Sequence, residues 1–500
     1  MPRQGGRNVL FVVLDTVRKD HLTPYGHDRP TTPTLEAFAE EAVVYDNAVA
    51  QAPWTLPSHA SMFTGRYPSD HGATQESPHL PEGATTLAEA LSVAGYRSAC
   101  YSSNAWITPY TRLTAGFDDH DSFFEALPGT VPSAAAAVWR RLADGRLRPL
   151  ADRLVGLGNA VHERLAASET ASRTPAVIDR TRAFIADAEA PWFAFCNLMD
   201  AHLPYYPPRP YREAFAPGVD PDAVCQNSKE YNAGARNVSE AEFDAIRRLY
   251  DAEISHADAE LGRLFGWLRR TGRWDDTVVI VCADHGELHG EFGLYGHEFA
   301  VYDPLVAVPL FLKHPDLGAG RVGRTVELLD LYDTVLESAA ATGAADRVGG
   351  RPFDPERSLL SAGRAIPDGE CGFVEYHRPE IERAQLDAKA TAAGVEIDPD
   401  SRFDSRMGAV RRPDATYVRN ERFPDEAYRR GEGGDRTAIG TEGSIARELS
   451  AALERFEART AASPIAARSE GAAGRRSPPD GRSEMNASVR RRLRELGYLE

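Results

Sequence analysis

Lysine is nearly missing from this chain. Of its 57 basic residues only Lys19, Lys229, Lys313 and Lys389 are lysines, and all others are arginine. Acids outnumber bases by 74 to 57, a net charge of −17, which argues against a non-specific nucleic-acid binder with its basic footprint. An acidic, alanine-rich, lysine-poor surface fits a salt-adapted cytoplasm, where excess acid keeps protein soluble under strong screening; a GC-rich genome gives the same bias. Also missing is any apolar run near the ~20 residues of a membrane span. The basic N-terminus, MPRQGGRNVLFVVLDTVR, has only a short apolar stretch, interrupted by Asp15, and Asn8–Leu14 reads as a buried strand rather than a signal peptide. The cysteines (Cys100, Cys196, Cys225, Cys282, Cys371) are far apart, include no CxxC pair, and read as free thiols, two of them inside apolar runs. The expectation is a cytoplasmic protein.

What is present, 42 % hydrophobic residues in a chain of 500, suffices for a large core. This length suits one large domain with an appendage, or two to three ordinary ones. Strand Asn8–Leu14 ends at Asp15. Thr32 and Pro33 give an N-cap and first helical residue, followed by Leu35, Phe38, Ala39 and Ala42 at helical spacing. Thr86 and Glu89 form a capping box for a helix closing at Gly95, and strand Tyr96–Tyr101 then delivers Ser102, Ser103 and Asn104. Thr174–Pro175 caps another helix, and strand Trp192–Met199 ends at Asp200 and His202. A long amphipathic helix, Glu242–Arg270, leads into the most hydrophobic strand, Thr277–Ala283, which ends at Asp284 and His285. Val308–Leu312 is a further short strand and Val326–Ala341 a further helix. This alternation predicts an α/β fold, a mostly parallel sheet sandwiched by helices over residues 1–369. Val131–Ala171, rich in Ala, Leu and Arg, reads as a helical insertion. Short strand-like pieces (Gly372–Tyr376, Met407–Arg411, Thr416–Arg419) predict a small C-terminal antiparallel subdomain over 370–460. Residues 461–484 read as a flexible linker and 485–500 as a terminal helix.

Three strong strands thus stop at polar residues: Asp15–Thr16, Asp200-x-His202 and Asp284–His285. Ligands of open parallel sheets bind outside the carboxyl ends of the strands. Between Pro53 and Pro57 lies Thr55, at or beside the start of a helix ending near Gly65. Read locally, it is a helix cap. Read with the strand ends, it faces carboxylates and an imidazole, a donor set for Mn²⁺ or Zn²⁺ and, less specifically, Mg²⁺ or Ca²⁺. A hydroxyl at such an ion becomes a nucleophile near neutral pH, and the helix N-terminus adds N–H donors for an oxyanion.

Several ordered blocks resemble the sulfatase branch of the alkaline phosphatase superfamily, which also holds phosphonate monoester hydrolases and phosphoglycerol transferases. They are NVLFVVLDT, TLPSHASMFTGRYPSDHG, AGYRSACYSSN, DAHLPYYPP, YDAEISHADAELGRLF, VVIVCADHGE and GHEFAVYDPLVAVPLFL, running from Asn8 to about Gly343. The resemblance implies one divalent metal ion (Mn, Ca, Mg or Zn) on Asp15, Asp284 and His285, with the Thr55 hydroxyl completing the sphere. His202 and His297 match positions that contact the anionic group or protonate the leaving oxygen, although His297 also reads as a polar loop residue. Asn104 matches a phosphate-binding side chain and equally reads as a turn residue. Thr16 stands where sulfatases often carry a second aspartate, and Glu287 reads as a supporting or loop residue.

The chain departs from sulfatases at two positions. They carry cysteine or serine at the Thr55 position, oxidised to formylglycine within C/S-x-P-x-R. Threonine cannot yield that aldehyde, because its β-carbon bears a methyl group, and His59 replaces the motif's arginine. No formylglycine is therefore expected. The leading expectation is a metal-dependent hydrolase or transferase that cleaves phosphate mono- or diesters through a covalent Thr55 intermediate, on a small anionic ester substrate. Its alternatives are a sulfuric ester hydrolase using unmodified Thr55, and a degenerate member that binds an anion without turnover.

Overall fold

The computed structural model describes residues 6–123, 172–189, 191–360, 371–398, 401–431 and 436–461. The expected insertion at 131–171, the linker beyond 461 and the terminal helix at 485–500 lie outside the described residues.

The strands of the N-terminal part are β1 (Asn8–Leu14), β2 (Val43–Val49), β3 (Arg97–Ser102), β4 (Asp119–Asp121), β5 (Trp192–Leu198) and β6 (Thr277–Cys282). A small hairpin, β7 (Leu288–His289) and β8 (Tyr295–Gly296), precedes β9 (Ala307–Val308), β10 (Leu310–Lys313) and β11 (Gly320–Glu327). The large sheet runs β11-β2-β10-β6-β1-β5-β3-β4, with β9 on β2. β1 lies at its centre, parallel to both β5 and β6, with Leu10 opposite Ala194 and Val279. Such a strand is covered on both faces, which is why VLFVVL, Val9 to Leu14, is continuously apolar rather than alternating. β10 alone of the long-paired strands runs antiparallel, to β6 and to β2.

Helices flank the sheet in two packed groups. Pro33–Ala39 and Thr174–Asp187 pack on the long helix Glu240–Arg270; Thr55–Thr64, Leu87–Val93 and Asp330–Ser338 pack on one another. The mostly parallel α/β architecture is thus as expected, and so is a separate antiparallel C-terminal sheet. That sheet is β12 (Gly372–Tyr376), β13 (Met407–Arg411), β14 (Ala415–Asn420), β15 (Glu426–Arg430) and β16 (Arg436–Ala438), in sequential order under the helix Ser444–Ala461. Among the described residues no helix is long and apolar enough to cross a membrane, and all five cysteines are buried.

Some local readings change. The expected helix Val326–Ala341 begins only at Asp330, because Val326 and Glu327 complete β11 beside Ala48 and Val49 of β2. Glu327 is held there by Phe373 N–H at 2.8 Å and by the Tyr67 hydroxyl at 2.6 Å, neither of which is near it in sequence. The Thr86–Glu89 capping box forms as read. Thr32 does not cap its helix: the carboxylate of Asp258, on the long helix, takes the N–H groups of Thr34 and Leu35 at 2.8 and 2.9 Å. Asp258→Ala is expected to destabilise the protein by about 1–2 kcal/mol, read by denaturant unfolding, because two helix-start donors lose their acceptor.

Candidate metal and nucleophile site

Thr55 is the first residue of the helix Thr55–Thr64, and Trp54 takes the N-cap position. Its side chain therefore caps nothing, contrary to the local reading. Thr55 Oγ1 accepts a hydrogen bond from Asn104 Nδ2 at 3.2 Å and stands 3.4 Å from His285 Nε2. Asn104, just past β3, uses the same Nδ2 to donate to Asp15 Oδ2 at 2.7 Å. It thereby sets the spacing between the hydroxyl and the carboxylate, and its two turn-forming bonds, to Ser102 Oγ and from Trp106 N–H, lock its own orientation.

Asp15 and Asp284 sit at the carboxyl ends of the neighbouring strands β1 and β6, both fully buried. On each carboxylate one oxygen is satisfied and one is not. Asp15 Oδ2 also accepts from Asn197 Nδ2 at 2.8 Å, and Asp284 Oδ1 accepts from the N–H groups of Thr16 and His285 at 3.2 and 3.0 Å. Asp15 Oδ1 and Asp284 Oδ2 have no hydrogen-bond partner among the described residues. Burial, and then the charge of Asp15, push the Asp284 carboxyl well above its usual range. His285 faces its ring Nδ1 to Gly286 O at 2.9 Å, and since a carbonyl only accepts, the proton is on Nδ1 and Nε2 offers a lone pair. Donor atoms of Asp15, Asp284 and His285 all lie within 4.8 Å of one another. Two orphaned carboxylate oxygens and an imidazole lone pair, all dry, fit a small divalent cation.

Beside this group stand two imidazoles. The His202 and His297 rings are 5.2 Å apart, and His297 is 4.7 Å from His285. His202 gives Nδ1–H to Leu203 O at 2.6 Å, and burial lowers its pKa, keeping it neutral. Burial acts on His297 in the same direction, but Glu287, 3.0 Å from Nδ1, and Glu298 outweigh it and hold the ring protonated up to about 9. Lys229 in turn bridges Glu298 and Glu382, at 2.9 Å from the latter. Glu382 lies on the helix Glu380–Ala393, so the C-terminal part of the chain braces this side of the site.

Two of the three strand endings therefore converge with Thr55. In the third, His202 arrives next to His297 but Asp200 turns away to His256 Nδ1 at 2.8 Å. Thr16, in a left-handed conformation at φ 58°, spends its hydroxyl on Ala201 O at 2.6 Å, so its side chain braces the loop after β5 rather than facing the carboxylates. His59, in the place of the motif arginine, donates Nδ1–H to Thr55 O at 3.0 Å and lies 3.5 Å from Asp284 Oδ2; burial lowers its pKa to about 4. Sequence reasoning passed over Asn197 and the pairing of Glu287 with His297. Asn197 had a signal: an amide inside the otherwise apolar strand WFAFCNL costs free energy unless it has a partner.

A model of the family described as Sulfatase matches residues 7–341. The arylsulfatase of Clostridium perfringens (strain 13 / Type A) is 23 % identical over 361 residues, which cover 66 % of this chain and 74 % of that protein. A multifunctional alkaline phosphatase superfamily protein of Trinickia caryophylli is 26 % identical over 380 residues, covering 66 % and 73 %. The crystal structure of the phosphonate monoester hydrolase of Agrobacterium radiobacter is similar in fold, with a TM-score of 0.64 at 20 % identity, over 91 % of this chain and 96 % of that one.

Proposed function

We propose that this chain, which belongs to the sulfatase family, is a metal-dependent hydrolase that cleaves phosphate mono- or diesters by direct attack of the Thr55 hydroxyl. One observation carries the reading: the free oxygens of Asp15 and Asp284 and the lone pair of His285 Nε2 converge beside Thr55 Oγ1. A divalent cation held there would lower the hydroxyl's pKa and neutralise charge on a phosphoryl oxygen. Asn104 holds the Thr55 hydroxyl by a hydrogen bond, and the first N–H groups of the helix Thr55–Thr64 would serve as donors to an oxyanion there. The Thr55 hydroxyl gives up its proton to solvent, its Oγ forms the new bond to phosphorus, the ester oxygen leaves, and His297 gives that oxygen a proton. Water, or an acceptor hydroxyl, then releases the phosphothreonine, with neutral His202 in place to accept the incoming nucleophile's proton.

Threonine favours phosphate over sulfate, because the aldehyde route is closed to it. A panel of phosphomonoesters, diesters and sulfate esters, run with defined metals at high and low salt, tests the reading. Intact-mass measurement after acid quench is expected to find a phosphoryl adduct on Thr55. Aryl sulfate turnover exceeding phosphate turnover would favour a sulfuric ester hydrolase acting through unmodified threonine. Tight metal binding with no turnover of any ester would favour an anion-binding member.

The role of His297 has its own test. Glu287→Gln removes the carboxylate that keeps the ring protonated, so turnover of alkyl phosphates, which need a proton on the leaving oxygen, is expected to fall about 100-fold. Esters of 4-nitrophenol leave unaided and are expected to change little. Equal losses on both kinds of ester would assign Glu287 a purely structural role.

A further inference from the structure

Where the C-terminal sheet meets the rest of the chain, positive charge is buried in excess. Arg411 on β13, Arg430 on β15 and Arg436 on β16 share one face of that sheet. Arg411 stands opposite Thr416, Thr416 opposite Tyr428, and Arg430, on the same side as Tyr428, opposite Arg436. They meet Asp303, the first residue of the short helix Asp303–Val306. Its Oδ1 accepts from Arg411 Nε at 3.2 Å and from the Thr416 hydroxyl at 3.3 Å, and its Oδ2 pairs with Arg430 Nε at 2.7 Å. Lys19, past the end of β1, donates Nζ to Asp46 O at 2.7 Å and lies near enough to feel the charges of Arg411, Arg430 and Asp303.

One carboxylate does not balance these cations. Of the other acids nearby, Asp46 accepts from Arg321 at 3.1 Å, and Glu426 accepts from the hydroxyls of Tyr302 and Tyr428. Arg411 is 0 % exposed, yet among the described residues its Nη1 and Nη2 have no hydrogen-bond partner. The Arg436 guanidinium has none either. It lies over the rings of Tyr428, Phe292 and Tyr302, at 4.0, 4.5 and 5.1 Å, which hold it in place and offset part of its charge. Like charges directly across two strands, as Arg430 and Arg436 are, repel. Burial, then Arg411 and Arg430, bring the Lys19 ammonium down to about 7, and burial brings Arg411 down to about 10 against the pull of Asp303. A buried cation with unmade hydrogen bonds is costly unless an anion meets it.

We propose that Arg411 and Arg436, with Arg430 and Lys19 beside them, hold an inorganic oxyanion, phosphate or sulfate, in a site that shares no residue with the one around Thr55. The free Nη1–Nη2 edge of Arg411 matches two oxygens of such an ion in parallel hydrogen bonds, which favours it over a spherical halide. Because Arg411 is fully buried, the ligand is the free ion rather than a phosphoryl group on a larger molecule. Its role is structural: it fastens β13 and β16 to the segment that carries Asp303, and it does not depend on the reading of Thr55 as nucleophile.

The test counts phosphate. The full chain carrying Asp284→Asn, stripped of metal with chelator, is brought to equilibrium by dialysis against radiolabelled phosphate. It is expected to bind about one phosphate per chain, displaced by sulfate but not by chloride at the same concentration. Adding Arg436→Gln is expected to weaken that binding about 10-fold and adding Arg411→Met about 100-fold. Phosphate is also expected to raise Tm in Asp284→Asn and to leave it unmoved once either arginine is replaced. No phosphate on Asp284→Asn would overturn the proposal, since water or a carboxylate of the chain itself would then fill the place. Undiminished binding in Arg436→Gln, or displacement by equal chloride, would overturn it as well. Should Arg411→Met not fold, Arg436→Gln, at a half-buried position on an edge strand, decides alone.

Discussion

Thr55→Ala is expected to lower turnover by about 10⁴-fold or more and to abolish the quenched mass adduct. The size follows from position. Removing this hydroxyl takes away the proposed nucleophile, and Asn104 Nδ2 then has only Asp15 left to hold. The helix start is not put at risk, because Trp54 occupies the cap position and the Thr55 side chain makes no capping bond. Alanine is also a better helix former than threonine, so thermal stability is expected to stay level or rise slightly. Thr55→Ser keeps the hydroxyl and is expected to stay within about 10-fold of wild type, since it loses only the methyl group that fixes χ1. Steady-state rates on the preferred ester, with a melting curve for each variant, check both. Residual turnover of Thr55→Ala near wild type would mean that water, not threonine, attacks.

Asp284→Asn carries the second large effect, and it acts in opposite directions on activity and stability. Metal retention is expected to fall by one ion per chain and turnover by about 10³-fold or more, because a neutral amide is a poor ligand in place of a carboxylate. The metal-free protein, by contrast, is expected to become more stable. Asparagine can still accept the N–H groups of Thr16 and His285 through its oxygen, while its NH₂ stands where the orphaned Oδ2 was, 3.4 Å from His285 Nε2, and the negative charge that opposes Asp15 is gone. The sign follows from the raised pKa. Burial first, and Asp15 second, make the folded chain hold the Asp284 proton more tightly than the unfolded chain does. Metal-free wild type therefore loses stability as pH rises from the ordinary carboxylate range through the raised one. Asparagine has no proton to lose there. At neutral pH the metal-free variant is expected to melt about 2–4 °C above metal-free wild type, with the gap closing in acid. Calorimetry at two pH values, on chelator-treated protein, measures it. A metal-free variant that melts below wild type at neutral pH would show that the two carboxylates do not oppose each other.

The parts of this protein that could be read without coordinates are those whose signal is local. Strands β1, β5 and β6 announce themselves as apolar runs ended by a charged residue, and Asn8–Leu14 needed no correction. The Thr86–Glu89 capping box spans four residues, and the helix Thr55–Thr64 ends at Gly65, in the left-handed conformation glycine takes readily. Asp15, Thr55, Asp284 and His285 were all nameable because each follows such a run or belongs to a recognisable block. β2 and β15 were missed for the opposite reason: VVYDNAV and EAYRR carry polar residues that make sense only against partner strands far along the chain.

Sequence alone determined the α/β class, the strand ends that could carry chemistry, and the threonine that closes the aldehyde route, since all of these follow from periodicity, from chain endings or from the covalent structure of one side chain. Only the tertiary structure decided which of those residues meet. It placed Asn104 between Thr55 and Asp15, put Asn197 on the same carboxylate from a neighbouring strand, and paired Glu287 with His297. It also sent Asp200 to a helix some fifty residues on rather than to the other strand ends. Hydrogen bonds and charge compensation are satisfied in space, by whichever buried partner lies within reach, and a partner distant in the chain leaves no pattern in the sequence around either residue.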